Sequence, residues 1–155
     1  MVKIRPAGPD NVLAIAELLD ELDRFYGAPQ SEPLHERTVG IWDALFGLTP
    51  AAHGLLAWDG AELAGIASYS FLWPAAGVTR SLYVKELYVR QASRRKGVGA
   101  LLMYELAKIA AAHKCSLMEW TTEPDNLDAQ QFYMALGMEL FTEKVFYRVS
   151  LSRVT

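Results

Sequence analysis

The residues of this chain best suited to chemistry run from position 94 to 100, Arg94-Arg95-Lys96-Gly97-Val98-Gly99-Ala100. They lie between a stretch patterned as a strand and one patterned as a helix. A helix start presents N–H groups without intrahelical partners and a partial positive charge, so it attracts anions. Gly97 and Gly99 have no Cβ, which permits a tight turn and close approach of a pyrophosphate to the backbone. Arg94, Arg95 and Lys96 add positive charge beside it. Two other phosphate loops fit less well. A dinucleotide fingerprint needs a third glycine where this chain has Leu102, and an acidic residue ending the next strand. A P-loop needs Gly-Lys followed by Ser or Thr, whereas here Lys96 precedes Gly97. The plain alternative is a basic, solvated turn whose glycines start a helix.

Hydrophobic periodicity supplies the elements that must hold this turn. Residues 2–5 read as a short strand. Val12, Ile15, Ala16, Leu19 and Leu22 recur at helical spacing, which predicts an amphipathic helix from Asp10 or Asn11 to about Tyr26, stopped at Gly27. Leu34, Thr38, Ile41, Trp42 and Leu45 predict a second helix ending before Gly47. Residues 55–58 and 62–71 read as strands joined at Asp59-Gly60, a strong hairpin signal. A loop follows at 73–77. Residues 80–90 alternate as a strand with Leu82, Val84, Glu86 and Tyr88 on one face, and Tyr83, Lys85, Leu87 and Val89 on the other. A helix over 98–113, a strand over 116–121 and a helix over 126–136 stopped by Gly137 come next. Residues 138–150 should hold one or two closing strands. The four tryptophans, Trp42, Trp58, Trp73 and Trp120, read as core or pocket aromatics. The order predicts an α/β fold with a sheet of mixed direction, in one domain over residues 1–155.

Composition narrows the function classes. With 52% hydrophobic and 21% charged residues the chain is globular, which excludes a disordered polypeptide. A net charge of −3 disfavours nucleic acid as the main partner. No apolar run approaches the roughly 18–20 residues of a membrane-spanning helix, and residues 1–6 lack the apolar core of a signal peptide. The single cysteine, Cys115, excludes an internal disulfide, and His35, His53 and His113 form no metal spacing. The expectation is a cytoplasmic protein with no metal, no membrane partner and no nucleic-acid partner.

The turn at Arg94-x-x-Gly97-x-Gly99-Ala100 resembles the pyrophosphate signature of the GCN5-related N-acetyltransferase (GNAT) superfamily. In that superfamily the signature follows a strand and opens a helix. A second stretch, Asn126-Leu127-Asp128-Ala129-Gln130-Gln131-Phe132-Tyr133-Met134-Ala135-Leu136-Gly137-Met138, is similar to its other signature: Asn, Ala three on, an aromatic and Tyr, then Leu-Gly and an apolar residue. Two signatures in order are more specific than either alone. Residues 82–89, 115–118 and the region around Trp120, Asn126, Phe132 and Tyr133 look like the diamine acetyltransferase branch. One departure stands out: Lys85-Glu86 replaces the two adjacent acidic residues common in the polyamine enzymes of that branch.

The resemblance implies a GNAT-like sheet, mixed and largely antiparallel, with helices on both faces. It also implies transfer of an acetyl group from acetyl-CoA to a primary amine of a small molecule (polyamine, diamine or amino-acid-like) by direct attack in a ternary complex. The first third of the chain would then shape the acceptor pocket. Alternatives are a peptide or protein N-acetyltransferase, or a non-catalytic acyl-CoA-binding module. An alkylammonium has a pKa of about 10.4, so presenting it neutral at pH 7 costs roughly 4–5 kcal/mol. A carboxylate beside the acceptor attracts the cation and takes the proton, directly or through water. Glu86 is the candidate; its plain alternative is a solvated carboxylate paired with Lys85 or Arg90. The family pattern assigns the backbone of Leu87, Tyr88 and Val89 to the pantetheine arm and the thioester oxygen, often by way of a bulge. It assigns Arg94, Arg95, Lys96, Gly97, Val98, Gly99 and Ala100 to the diphosphate. Tyr133 occupies the position of the acid that protonates the leaving thiolate, against the alternative of a core aromatic. Asn126 contacts the cofactor, caps its helix, or both. The resemblance further implies a homodimer built on the closing strands, particularly Val145-Phe146-Tyr147.

Overall fold

Five strands, β1 (Val2–Pro6), β2 (His53–Asp59), β3 (Glu62–Leu72), β4 (Arg80–Val89) and β5 (Cys115–Glu119), lie in that order across one sheet. This is a computed structural model, and it describes residues 1–28 and 32–152. The first four strands pair antiparallel, and β5 joins β4 in parallel. Among the described residues four α-helices accompany them: α1 (Val12–Phe25), α2 (Leu34–Phe46), α3 (Val98–Ala112) and α4 (Leu127–Ala135). The chain therefore has the α/β fold with the mixed, largely antiparallel sheet expected of it. It divides into two units, Met1–Thr121 and Thr122–Thr155.

Within the first unit the sheet buries both faces, as its partners dictate. Ile15, Ala16, Leu18 and Leu22 of α1 and Ile41 of α2 pack with Leu56, Leu63, Ile66 and Tyr88 of the sheet. The other face carries Leu55, Ala57, Ala67, Leu82 and Val84, all buried, and meets the buried stripe of α3, Val98, Leu102, Met103 and Leu106. Gly65 of β3 lets α3 begin close to the sheet: a Cβ there would stand 2.9 Å from the Tyr88 carbonyl oxygen and 3.4 Å from Val98 Cγ1.

One irregularity in β4 changes the expected faces. Ser68 pairs with Glu86, but Tyr69 pairs with Val84, so Lys85 has no partner on β3. An extra residue on one strand is a β-bulge, and it shifts every later side chain by one face. Paired residues share a face, so Val84 lies with Tyr69 while Glu86 lies with Ser68, on the opposite side. The expectation that Leu82, Val84, Glu86 and Tyr88 share one face is thus corrected. Leu82 and Val84 face α3; Glu86 and Tyr88 face α1 and α2.

In the second unit, α4 starts at Asn126, whose side chain accepts a hydrogen bond from the Ala129 N–H at 3.1 Å. It ends before Gly137, which takes a positive φ of 82°. The expected closing strands over 138–150 do not form; that stretch has no regular structure. Strand-like composition yields a strand only where a neighbouring backbone accepts the ladder, and Val145, Phe146, Tyr147 and Val149 are exposed. For two tryptophans the core half of the core-or-pocket reading fails. Trp42 is 50% and Trp73 70% exposed, so neither is a core residue.

Candidate functional site

Glu86 owes its position to the bulge. Turned to the α1/α2 side, it enters a cleft of about 200 Å³ whose other lining residues are Ile15, Leu19, Ile41, Ala44, Leu45, Ala52, Gly54, Ile66 and Ser68. The cleft exists because Ala44, Ala52, Gly54 and Ser68 are too small to fill the space between the sheet and the helices. Glu86 is the one ionisable side chain among these lining residues. Burial pushes its carboxyl above the usual carboxylate range; a backbone hydrogen bond from Leu87 and the charge of Lys85 pull it down, and Asp23 pushes it up. Arg90 does not neutralise it. That guanidinium is committed to Glu21 at 3.1 Å and Glu62 at 3.2 Å. The reading of Glu86 as a carboxylate paired with Arg90 does not match this geometry.

Past the bulge, β4 is open on one side. β5 pairs only with residues 80–83 of β4, so among the described residues no strand lies beside residues 84–89 at that edge. The Arg90 N–H bonds to the Ala64 carbonyl on β3 at 2.8 Å. Alternation along the strand therefore turns the N–H groups of Leu87 and Val89 to the open edge, and those of Glu86 and Tyr88 toward β3. Tyr88, expected in the same backbone group, instead buries its ring beside α1; its hydroxyl donates to Glu21 at 3.4 Å.

The glycine turn follows within a few residues. Arg95 takes a φ of 65° and Gly97 one of 77°, and these two left-handed residues swing the chain into α3. The first intrahelical bond is from Leu101 N–H to the Gly97 carbonyl at 3.0 Å. The N–H groups of Gly97, Val98, Gly99 and Ala100 are thus the free donors of the helix start. A Cβ on Gly97 would meet nothing within 4 Å, so the face of the turn at that glycine is open. Arg95 and Lys96 are exposed and form no ion pair among the described residues. Arg94 behaves differently. Its guanidinium lies 4.6 Å from the Phe25 ring centre and 5.8 Å from that of Tyr88, and its Nε donates to the Val89 carbonyl at 3.0 Å. It fastens the turn to α1 and β4. This donor set suits a diphosphate: clustered backbone N–H groups, a helix dipole and two uncommitted cations.

In the second unit, Phe132 and Tyr133 are partly buried with ring centres 5.2 Å apart. Asn126 caps the helix that carries them. The structure thus brings Glu86, Leu87, Val89 and residues 94–100 into one continuous stretch of the first unit. Sequence reasoning missed Gly65 and the small cleft residues, and had a bulge in this strand only from the resemblance, without its place at Lys85; Gly65, a glycine inside a strand pattern, was the available signal. No group of three or more candidate metal ligands occurs among the described residues. No helix among them is long and apolar enough to cross a membrane.

Residues 15–138 match the model of the acetyltransferase (GNAT) family. An L-ornithine N5-acetyltransferase of Arabidopsis thaliana is 30% identical over 81 residues, which take in 52% of this chain and 36% of that protein. The chain thus spans about a third of that relative's length. A thialysine N-epsilon-acetyltransferase of Bos taurus is 28% identical over 150 residues, 92% of this chain and 86% of that protein. An integron cassette protein from the mobile metagenome of V. cholerae superposes with a TM-score of 0.87 at 28% identity, covering 99% of this chain and 94% of that one.

Proposed function

Because this chain belongs to the acetyltransferase (GNAT) family, we propose that it transfers an acetyl group from acetyl-CoA to a primary amine of a small molecule, by direct attack in a ternary complex. One observation carries the reading: on β4 a half-buried carboxylate in an apolar cleft adjoins backbone N–H groups at an open strand edge.

Acetyl-CoA supplies the acetyl group as a thioester. The N–H groups of Gly97, Val98, Gly99 and Ala100, with Arg95 and Lys96, hold the diphosphate. The open edge at Leu87 and Val89 takes the pantetheine arm; the Leu87 N–H already bonds the Glu86 carboxyl, so the Val89 N–H is the one that stabilises the negative charge developing on the thioester oxygen. Glu86 attracts the ammonium of the acceptor and removes one proton, directly or through water. The raised proton affinity of Glu86 makes it a stronger base than an exposed glutamate. The C–N bond forms as the C–S bond breaks, and Tyr133 gives a proton to the sulfur. Its own proton is restored from the acylated nitrogen through solvent, so the net release is one proton. Asn126 positions Tyr133 by capping α4. Among the relatives, the names ornithine and thialysine N-acetyltransferase support an amine on a small molecule. The reading includes a homodimer, supported by the exposed apolar residues Val145, Phe146 and Tyr147; sedimentation of the purified chain at micromolar concentration checks it.

A panel of primary amines, assayed by release of free thiol from acetyl-CoA, tests the reaction. Amine-dependent thiol release is expected. Activity confined to protein N-termini, or tight CoA binding without turnover of any amine, overturns the reading.

A further inference from the structure

We infer that the acceptor of this chain is a monoamine on a compact apolar body, one aromatic ring or a short alkyl chain, and not a polyamine, amino acid or amino sugar. This rests on the reading of the Glu86 cleft as the acceptor site. Three features of the cleft carry it. The first is charge. Glu86 is the one ionisable group among the lining residues, and Asp23, whose charge also reaches it, lies outside the lining and is ion-paired with Arg37 at 2.7 Å, so an ammonium in the cleft has one counter-charge and a second charge there has none. A charge moved out of water into apolar surroundings without a partner is strongly disfavoured. A carboxylate on the acceptor would also meet Glu86 itself, and no cation lines the cleft to receive it. Lys85, one residue away, does not take that part: its side chain belongs to the bulge and is exposed.

The second feature is the wall. Ile15 and Leu19 of α1, Ile41 and Leu45 of α2 and Ile66 of β3 are aliphatic, and the only hydroxyl is that of Ser68. A sugar or polyol would leave its hydroxyl groups without partners there. The third is size. The cleft holds about 200 Å³, and an apolar cavity of about 150 Å³ accepts one benzene ring. With the nitrogen seated at Glu86, a ring or a few methylenes thus fills the cleft.

Paired probes that share a body and differ by one charge test this on the full chain with acetyl-CoA. Phenethylamine is set against phenylalanine, and hexylamine against 1,6-diaminohexane. The readouts are kcat/KM from thiol release and, independently, calorimetric dissociation constants in the presence of CoA. The singly charged member of each pair is expected to win by at least about tenfold in both. Ala44→Leu, which narrows the cleft from α2, is expected to raise KM for phenethylamine about tenfold, with acetyl-CoA affinity unchanged. Equal or better use of phenylalanine or the diamine overturns the inference and leaves the acetyltransferase reading standing. Binding that ranks as expected with no acetylation of any amine does the reverse. Phenethylamine affinity unaffected by Ala44→Leu removes the cleft as its seat.

Discussion

Glu86 and the turn at 94–100 are set by the same strand, yet they handle charge in opposite ways. Glu86 is a single carboxylate among aliphatic walls. Its surroundings resist its charge, which raises its proton affinity, as the proposed exchange of a proton with an ammonium requires. The turn is exposed, basic and rich in free N–H groups, surroundings in which an anion stays charged. Scarcity of polar partners suits the first region to the chemistry proposed for it. Surplus of them suits the second to the holding role proposed there. The two regions also differ in what their disruption exposes, so substitutions should separate chemistry from binding.

The largest effect is expected for Glu86→Gln. Turnover should fall by about 10²-fold or more, with acetyl-CoA affinity unaltered in calorimetry. In the wild type, log kcat/KM should rise with pH through a limb lying above the ordinary glutamate range, and the limb should vanish in the variant. Stability should move the other way. A carboxyl whose folded pKa is raised stabilises the fold below its unfolded pKa and loses that contribution as pH rises through the folded value. Glu86→Gln should therefore have the higher Tm at neutral pH, with the gap closing in acid. An unchanged or lower Tm at neutral pH would break the contrast.

Tyr133→Phe comes next: a fall in kcat of about 10- to 100-fold with the acetyl-CoA dissociation constant nearly intact. Unchanged kcat would remove Tyr133 from the acid role. Gly97→Val forces a β-branched residue to a φ of 77°, and acetyl-CoA affinity should weaken about tenfold. Affinity at the wild-type level would show that the turn is not the diphosphate seat. The smallest effect is expected for Arg94→Ala, which removes the stacking on Phe25 and Tyr88 and the bond to Val89. Its signature should be a loss of about 0.5–1 kcal/mol in urea unfolding, with kcat/KM near wild type. A large loss of acetyl-CoA affinity instead would return Arg94 to the phosphate.

Much of this was legible in the residues. The apolar stripe of α3 and the glycines before it are local signals, and the structure starts α3 at Val98 as the pattern required. The Asp59-Gly60 hairpin joins β2 and β3 where it was placed, with Gly60 at a φ of 62°. Ile15, Leu19, Ile41 and Leu45 were legible as inward helix faces. That they border open space was not, because the gap depends on Ala52, Gly54 and Ser68 arriving opposite them from other elements. Residues 138–150 misled for the same reason: whether Val145, Phe146 and Tyr147 become a strand depends on a partner backbone that the composition does not name.

By itself, the order of amino acids determined the basic glycine turn, its helix and the hairpin at Asp59-Gly60, since each depends on neighbours a few positions apart. Only the folded molecule decided which way Glu86 points. A strand alternates with period two, so one unpaired residue at Lys85 reverses the face of everything after it. That extra residue is defined by register against β3, a relation between distant segments.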